Sequence, residues 1–235
     1  MQRARRLAPI AVVVAVGIIA LTGCRAQPDV AAYLGDRQIT EDRITGIIDE
    51  VKKNPAPQSA QAPAEEGGAR VPTRGEVVSL LVFNDACGRF TTDKALKPQR
   101  PVTAEEVGQG LGFAPNTEYA RQLADSFTCR SALPAGEPVK PTEEQLVQLI
   151  RDARAAGLGE NGETDAELRQ ALDGEQFQGA LGQRKLLEGE FGRFDITVNP
   201  RYRPLEFPIL SFPNEDQAVG VPLGEPGTGA VTSRS

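Results

Sequence analysis

The chain has no histidine and no tryptophan, and only one methionine and three tyrosines among its 235 residues. Without histidine it lacks the commonest general base, the commonest zinc ligand and the one side chain whose ordinary pKa lies near neutrality. With aromatics at 5%, a core has to be built from Leu, Val, Ile and nine Phe. Clusters of Lys and Arg are missing as well. The net charge is -6, and because Arg3, Arg5 and Arg6 sit in a leader without acids, the remainder is more acidic than the whole. Such a surface repels phosphates, so nucleic acid is not an expected partner. No phosphate-binding loop is present: Gly108, Gly110 and Gly112 follow no strand and lead to no Lys-Ser/Thr, and they read as helix terminators. The acid pairs Glu105-Glu106, Glu143-Glu144 and Asp165/Glu167 fall in first helical turns, where capping and the helix dipole account for them. No catalytic residue, metal ligand set or cofactor site is read from this sequence, and a noncatalytic role is expected.

What the chain does have begins with its leader. Arg3, Arg5 and Arg6 precede an almost wholly apolar span from Leu7 to Leu21, followed by Leu21-Thr22-Gly23-Cys24. The apolar run is about 15 residues, short of the roughly 20 that cross a bilayer as a helix. Small residues ahead of a cysteine suit a peptidase cleft, and the thiolate supplies the nucleophile for acyl transfer. The segment resembles the lipobox of bacterial lipoproteins. It implies a signal peptide at 1–23, a diacylated Cys24, a short tether at 24–29 and a chain held on the extracytoplasmic face of the cell membrane. A plain secretory signal ending near a cysteine is the competing reading.

With Cys24 used in this way, Cys87 and Cys129 remain as an even pair in an oxidising compartment, 42 positions apart. A disulfide between them contributes roughly 4 kcal/mol in the chain-entropy account. Redox chemistry is the alternative, but it more usually employs a CxxC spacing.

Along the rest of the chain, helix signals dominate. Val30 to Leu34 reads as a short strand ended by Gly35-Asp36, and Thr40 caps a helix with Ile44, Ile47, Ile48 and Val51 on one face. Residues 55–72, rich in Pro, Ala, Gln and Glu, read as a disordered insertion. Capping boxes follow at Thr73/Glu76, Thr103/Glu106, Thr142/Gln145 and Thr164/Glu167. The first of these opens the most apolar stretch of the chain, Val77 to Phe83, which predicts a central helix covered on several sides. Asn116 is expected to begin a helix bearing Tyr119, Leu123 and Phe127 on one face, and a further helix is expected around Phe177 to Leu187. Phe194, Ile196 and Val198 alternate with polar residues, the period of a half-buried strand, which Asn199-Pro200 ends. Residues 203–235 read as a Pro/Gly-rich tail, flexible from Gly220 onward. Its Leu205 to Phe212 segment either lies in a groove of the domain or is exposed for a partner.

Two segments carry a further resemblance. Val30-Ala31-Ala32-Tyr33-Leu34-Gly35-Asp36-Arg37-Gln38-Ile39-Thr40 resembles the opening of the SurA/PrsA-type chaperone N-terminal domain, and Phe194-Asp195-Ile196-Thr197-Val198-Asn199-Pro200-Arg201-Tyr202 resembles its closing strand. The resemblance implies a mainly α, compact multi-helix domain over 30–202 with a two-stranded pairing of its ends. It also implies chaperone-like binding of unfolded or secreted proteins. Arg203 stands where the family commonly has Gly, and the length and the lack of His leave no parvulin isomerase domain. A scaffolding lipoprotein with one defined envelope partner is the alternative. Arg201 and Tyr202 have two readings: a partner contact, or internal packing of Tyr202 with Arg201 paired to an acid. Intact-mass and peptide analysis of the membrane fraction is expected to find an N-terminus at a diacylated Cys24; a soluble, unmodified form beginning elsewhere would remove the anchor.

Overall fold

A computed structural model describes residues 28–55, 70–159, 162–212 and 217–224. The expected leader, Cys24, residues 56–69 of the expected insertion and residues 225–235 lie outside the described residues. The described residues form a mainly helical body with two small antiparallel sheets.

The chain enters as β1 (Val30–Leu34), turns at Gly35 and returns as β2 (Arg37–Thr40). Gly35 has φ +58, the left-handed conformation this tight reversal needs and which a Cβ disfavours. All five β1 residues are buried, because helices cover the strand while β2 and β3 (Ile196–Val198) flank it. Pairing of Ala32 with Val198 and of Leu34 with Ile196 closes the two ends of the helical body onto each other. The sheet has three strands where two were expected. Only Ile39 of β2 is buried, so the segment shows no apolar alternation; hairpin geometry rather than burial makes it a strand.

Threonine hydroxyls open six of the seven described α-helices. Thr40 caps α1 (Glu41–Lys53). The capping boxes expected at Thr73, Thr103, Thr142 and Thr164 are all formed, opening α2 (Arg74–Asp93), α3 (Ala104–Leu111), α5 (Glu143–Ala155) and α6 (Asp165–Leu172). In α4 (Glu118–Ala132) the cap is Thr117, one residue beyond the expected start, and its buried hydroxyl also donates to the Ala114 carbonyl at 2.7 Å. Phe127, expected on the buried face of α4, is instead exposed. Ala120, Ala124 and Ser126 turn inward, because α4 packs closely on α2 through small residues. α7 (Glu175–Phe191) lacks a side-chain cap and follows Gly174.

α2 is the central element. Val77 to Phe83, Ala86, Cys87 and Phe90 are all buried, so this helix is covered nearly all round, as its composition predicts. It runs to Asp93, beyond the expected end at Cys87. The disulfide between Cys87 and Cys129 staples it to α4, with Cα atoms 6.3 Å apart.

The tail differs most from the reading of the sequence. Glu206–Ser211 (β4) and Gln217–Pro222 (β5) form an antiparallel hairpin packed into the body. Phe207 stacks on Phe83 with ring centroids 3.7 Å apart, and Phe191 meets Phe83 edge-on at 6.0 Å. Leu205, Phe207, Val221 and Leu223 belong to the main core, whereas Phe212 and Ala218 join the smaller core of α5 and α6. Hairpin carbonyls are bound by helix side chains: Ser79 Oγ donates to Glu206 at 2.6 Å, Arg130 to Ile209 at 3.0 Å and Arg184 to Gly220 at 3.0 Å. Residues from Gly220 to Leu223 are therefore core and not a flexible end. The strand escaped the sequence because Ala218 to Val221 is buried on both faces; a short run containing Gly then shows no alternation.

One further contact positions the smaller lobe. The loop before α5 lies directly on the backbone of α7, so that a Cβ at Gly182 would meet the Glu137 carbonyl at 2.1 Å. Truncating Phe207 to Ala is expected to cost about 3–5 kcal/mol, read as a lowered urea midpoint. Deleting residues 203–235 is expected to leave no cooperatively folded body, and a stable truncated form would show the hairpin to be an appendage.

Candidate functional site

Arg201 and Tyr202 meet the start of the helical body. They lie in a short 3-10 turn, Pro200–Tyr202, set up by Asn199, whose side chain accepts from the Arg201 amide at 3.3 Å and donates to the Val30 carbonyl at 3.0 Å. From that turn Tyr202 Oη donates to the Glu41 carboxylate, lying 2.8 and 2.9 Å from its two oxygens. The Arg201 guanidinium pairs with the same carboxylate at 3.3 Å and donates to the Pro28 carbonyl. Arg74, the first residue of α2, also binds Glu41 and donates to Thr45 Oγ1 at 3.0 Å and Tyr202 Oη at 3.3 Å.

One carboxylate thus joins the N-termini of α1 and α2 to the turn that leaves β3. The electrostatics follow from this geometry. Burial pushes the Glu41 carboxyl up, but hydrogen bonds from Arg74 and Tyr202, with the charges of both arginines, outweigh it and hold the group below its ordinary 4.5. Burial raises the Tyr202 phenol above its ordinary 10.0; Arg74 opposes the rise and the Glu41 charge adds to it. At neutral pH Glu41 is ionised and Tyr202 keeps its proton. The cluster can hold charge and fix geometry.

The sequence singled out Arg201 and Tyr202 but not Glu41 or Arg74. Each of the latter follows a capping threonine, where an acid or a polar residue is ordinary, and nothing local reveals that Tyr202 lies 161 positions from Glu41 and 128 from Arg74. Of the two readings for Arg201 and Tyr202, the internal one describes their polar contacts. Tyr202 packs against the main core, while the Arg201 side chain stays 45% exposed.

Cys24, the expected lipidation site, lies outside the described residues. Cys87 and Cys129 form the disulfide, and Cys87 is fully buried. Two shallow clefts occur elsewhere. One, of about 320 Å³, lies among β2, α1, α2 and α4, lined by Arg37, Arg43, Asn84, Asp85, Gln122 and Asp125. Its charges are largely matched internally, Arg37 with Asp85 at 3.0 Å and Arg43 with Glu118 at 2.9 Å. The other, of about 420 Å³, lies between α5 and α6 around Val147 and Ile150. Among the described residues no group of His, Cys, Asp or Glu is arranged to hold a metal ion, and no helix is long and apolar enough to cross a membrane. Compared with known protein families, curated proteins and solved structures, the chain has no match.

Tyr202→Phe removes the donor that Glu41 shares with the arginines and is expected to cost about 1–2 kcal/mol at neutral pH. A depressed folded-state pKa contributes stability that is present above the unfolded value and lost as pH falls through the folded value. The gap between the native protein and Tyr202→Phe is therefore expected to be widest above the ordinary carboxylate range and to narrow on acidification. Urea titrations across that range read it, and a gap independent of pH would remove Glu41 from the account.

Proposed function

We propose that this chain is a lipoprotein, anchored through Cys24 on the extracytoplasmic face of a membrane, whose SurA-type helical body binds envelope proteins without catalysis. The observation that supports a binding role for one defined partner, over broad capture of unfolded clients, is the seating of β4 and β5. The hairpin covers the apolar side of α2 and α7 that a client groove would need to expose. Large apolar side chains left exposed among the described residues are single positions on separate elements, Val71, Leu111, Phe127 and Val147. Contact through such a surface suits a folded partner recognised by shape and charge better than an extended apolar segment.

The chaperone-like reading keeps one supporting observation of its own. Antiparallel pairing of β1 with β3 joins the same two segments that carry the resemblance to the SurA/PrsA-type domain. On that reading the hairpin has to leave α2 before a client can bind, which exposes Phe83 and its neighbours.

Crosslinking the full lipid-anchored chain in its own membrane, followed by mass spectrometry, separates the two. A dedicated binding protein is expected to yield one dominant partner and no protection of unrelated proteins from aggregation. Many partners, together with suppressed aggregation of several unrelated clients, would favour the chaperone-like role.

A further inference from the structure

The clamp around Glu41 also fixes which side of the body lies nearest the anchor. This inference rests on the proposed lipidation of Cys24. Three residues lie between Cys24 and Pro28, and the four Cα-to-Cα steps span at most about 14 Å. Pro28 does not hang free, since its carbonyl accepts from Arg201, and the neighbouring Asp29 carbonyl accepts from the Glu41 amide at 2.8 Å. The membrane-proximal pole is therefore the one that carries the 3-10 turn and the first turns of α1 and α2. The opposite pole lies at the far end of α2, a helix of 20 residues and about 30 Å.

The chemistry of this pole differs from that of the acidic protein as a whole. Two guanidiniums, Arg74 and Arg201, share the single Glu41 carboxylate, so the cluster keeps a positive charge. The carboxylate lies underneath: its side chain is 15% exposed, against 44% for Arg74 and 45% for Arg201. Arg203, whose Nε donates to the Val198 carbonyl at 2.9 Å, is exposed just after the same turn, as are Pro200 and Pro204, and the apolar Val71, three residues before Arg74, is exposed as well. Exposed acids are also near, at Asp29 and Asp42, and Glu76 in the first turn of α2 is paired with Arg70 at 3.5 Å. Cations facing outward with small apolar residues between them fit a layer of anionic headgroups.

We propose that the pole formed by Pro28, Val71, Arg74, Pro200, Arg201 and Arg203 rests on an anionic lipid surface, with the far end of α2 presented away from the membrane. Lipid is the partner for which the tether argues, because its length leaves little room for a folded protein between this pole and the bilayer.

The test uses the full acylated chain reconstituted in vesicles, with a photoreactive benzoylphenylalanine replacing Val71 or, as the distal control, Lys97 beyond the end of α2. Both positions are exposed, and intact disulfide and helical content verify each variant. In vesicles containing phosphatidylglycerol, lipid adducts at Val71→benzoylphenylalanine are expected to exceed those at the control roughly ten-fold, since the control stands about 30 Å from the surface, beyond the reach of a side chain. Replacing phosphatidylglycerol by phosphatidylcholine is expected to lower the Val71 yield several-fold. Equal yields at the two positions would overturn the orientation, and equal yields in the two lipids would overturn the electrostatic contact. Mass analysis of Cys24 in the same sample separates the premises. An acylated chain without positional bias defeats this inference alone, whereas an unacylated Cys24 defeats the anchor and the orientation together.

Discussion

Phe207 stacked on Phe83 joins the β4–β5 hairpin to the most buried helix, and the arrangement of both lobes follows from that contact. Phe83 lies midway along α2 and ends its wholly buried Val77–Phe83 run, which cannot be left with a solvent-facing stripe. α1, α4, α7 and the first sheet cover most of it, and the hairpin covers the rest. The same hairpin turns Phe212 and Ala218 toward α5 and α6, so one element serves two cores. Its carbonyls accept from Arg130 and Arg184, side chains taken out of water by the packing around them. Burial lowers the pKa of the Arg130 guanidinium, and the Ile209 carbonyl offers it a partner without a countercharge.

A second constraint acts at the opposite end of the sequence. The first described residues and the exit from β3 are brought together by β-pairing, and Glu41 locks that junction to α2 through Arg74, Arg201 and Tyr202. The pairing closes a loop of more than 160 residues, an entropic cost that the packing of the intervening helices offsets.

Local chemistry explains which parts of the fold were legible beforehand. Threonine followed three residues later by Glu or Gln marked four helix starts, because the cap is satisfied within four residues and needs no tertiary partner. The alternation of Phe194, Ile196 and Val198 marked a strand, and the expectation of an oxidising compartment for an even pair of cysteines marked the disulfide. Phe127 was misplaced because helical spacing names a face without saying which face a neighbour will cover. β2 and β5 were missed because one is mostly exposed and the other wholly buried, so neither alternates. In the candidate site, Arg201 and Tyr202 stood out by type and position, whereas Glu41 and Arg74 were indistinguishable from ordinary first-turn residues.

By itself the sequence determined the helical character, four capped helix starts and the strand that became β3, since each depends on groups close in sequence, and the pairing of Cys87 with Cys129 followed from a residue type with few other uses. Only the tertiary structure decided that the proline- and glycine-punctuated tail is core, and that one glutamate gathers two arginines and a tyrosine. Those outcomes depend on which surfaces remain uncovered after the helices pack, a property of the assembled body that no local window contains.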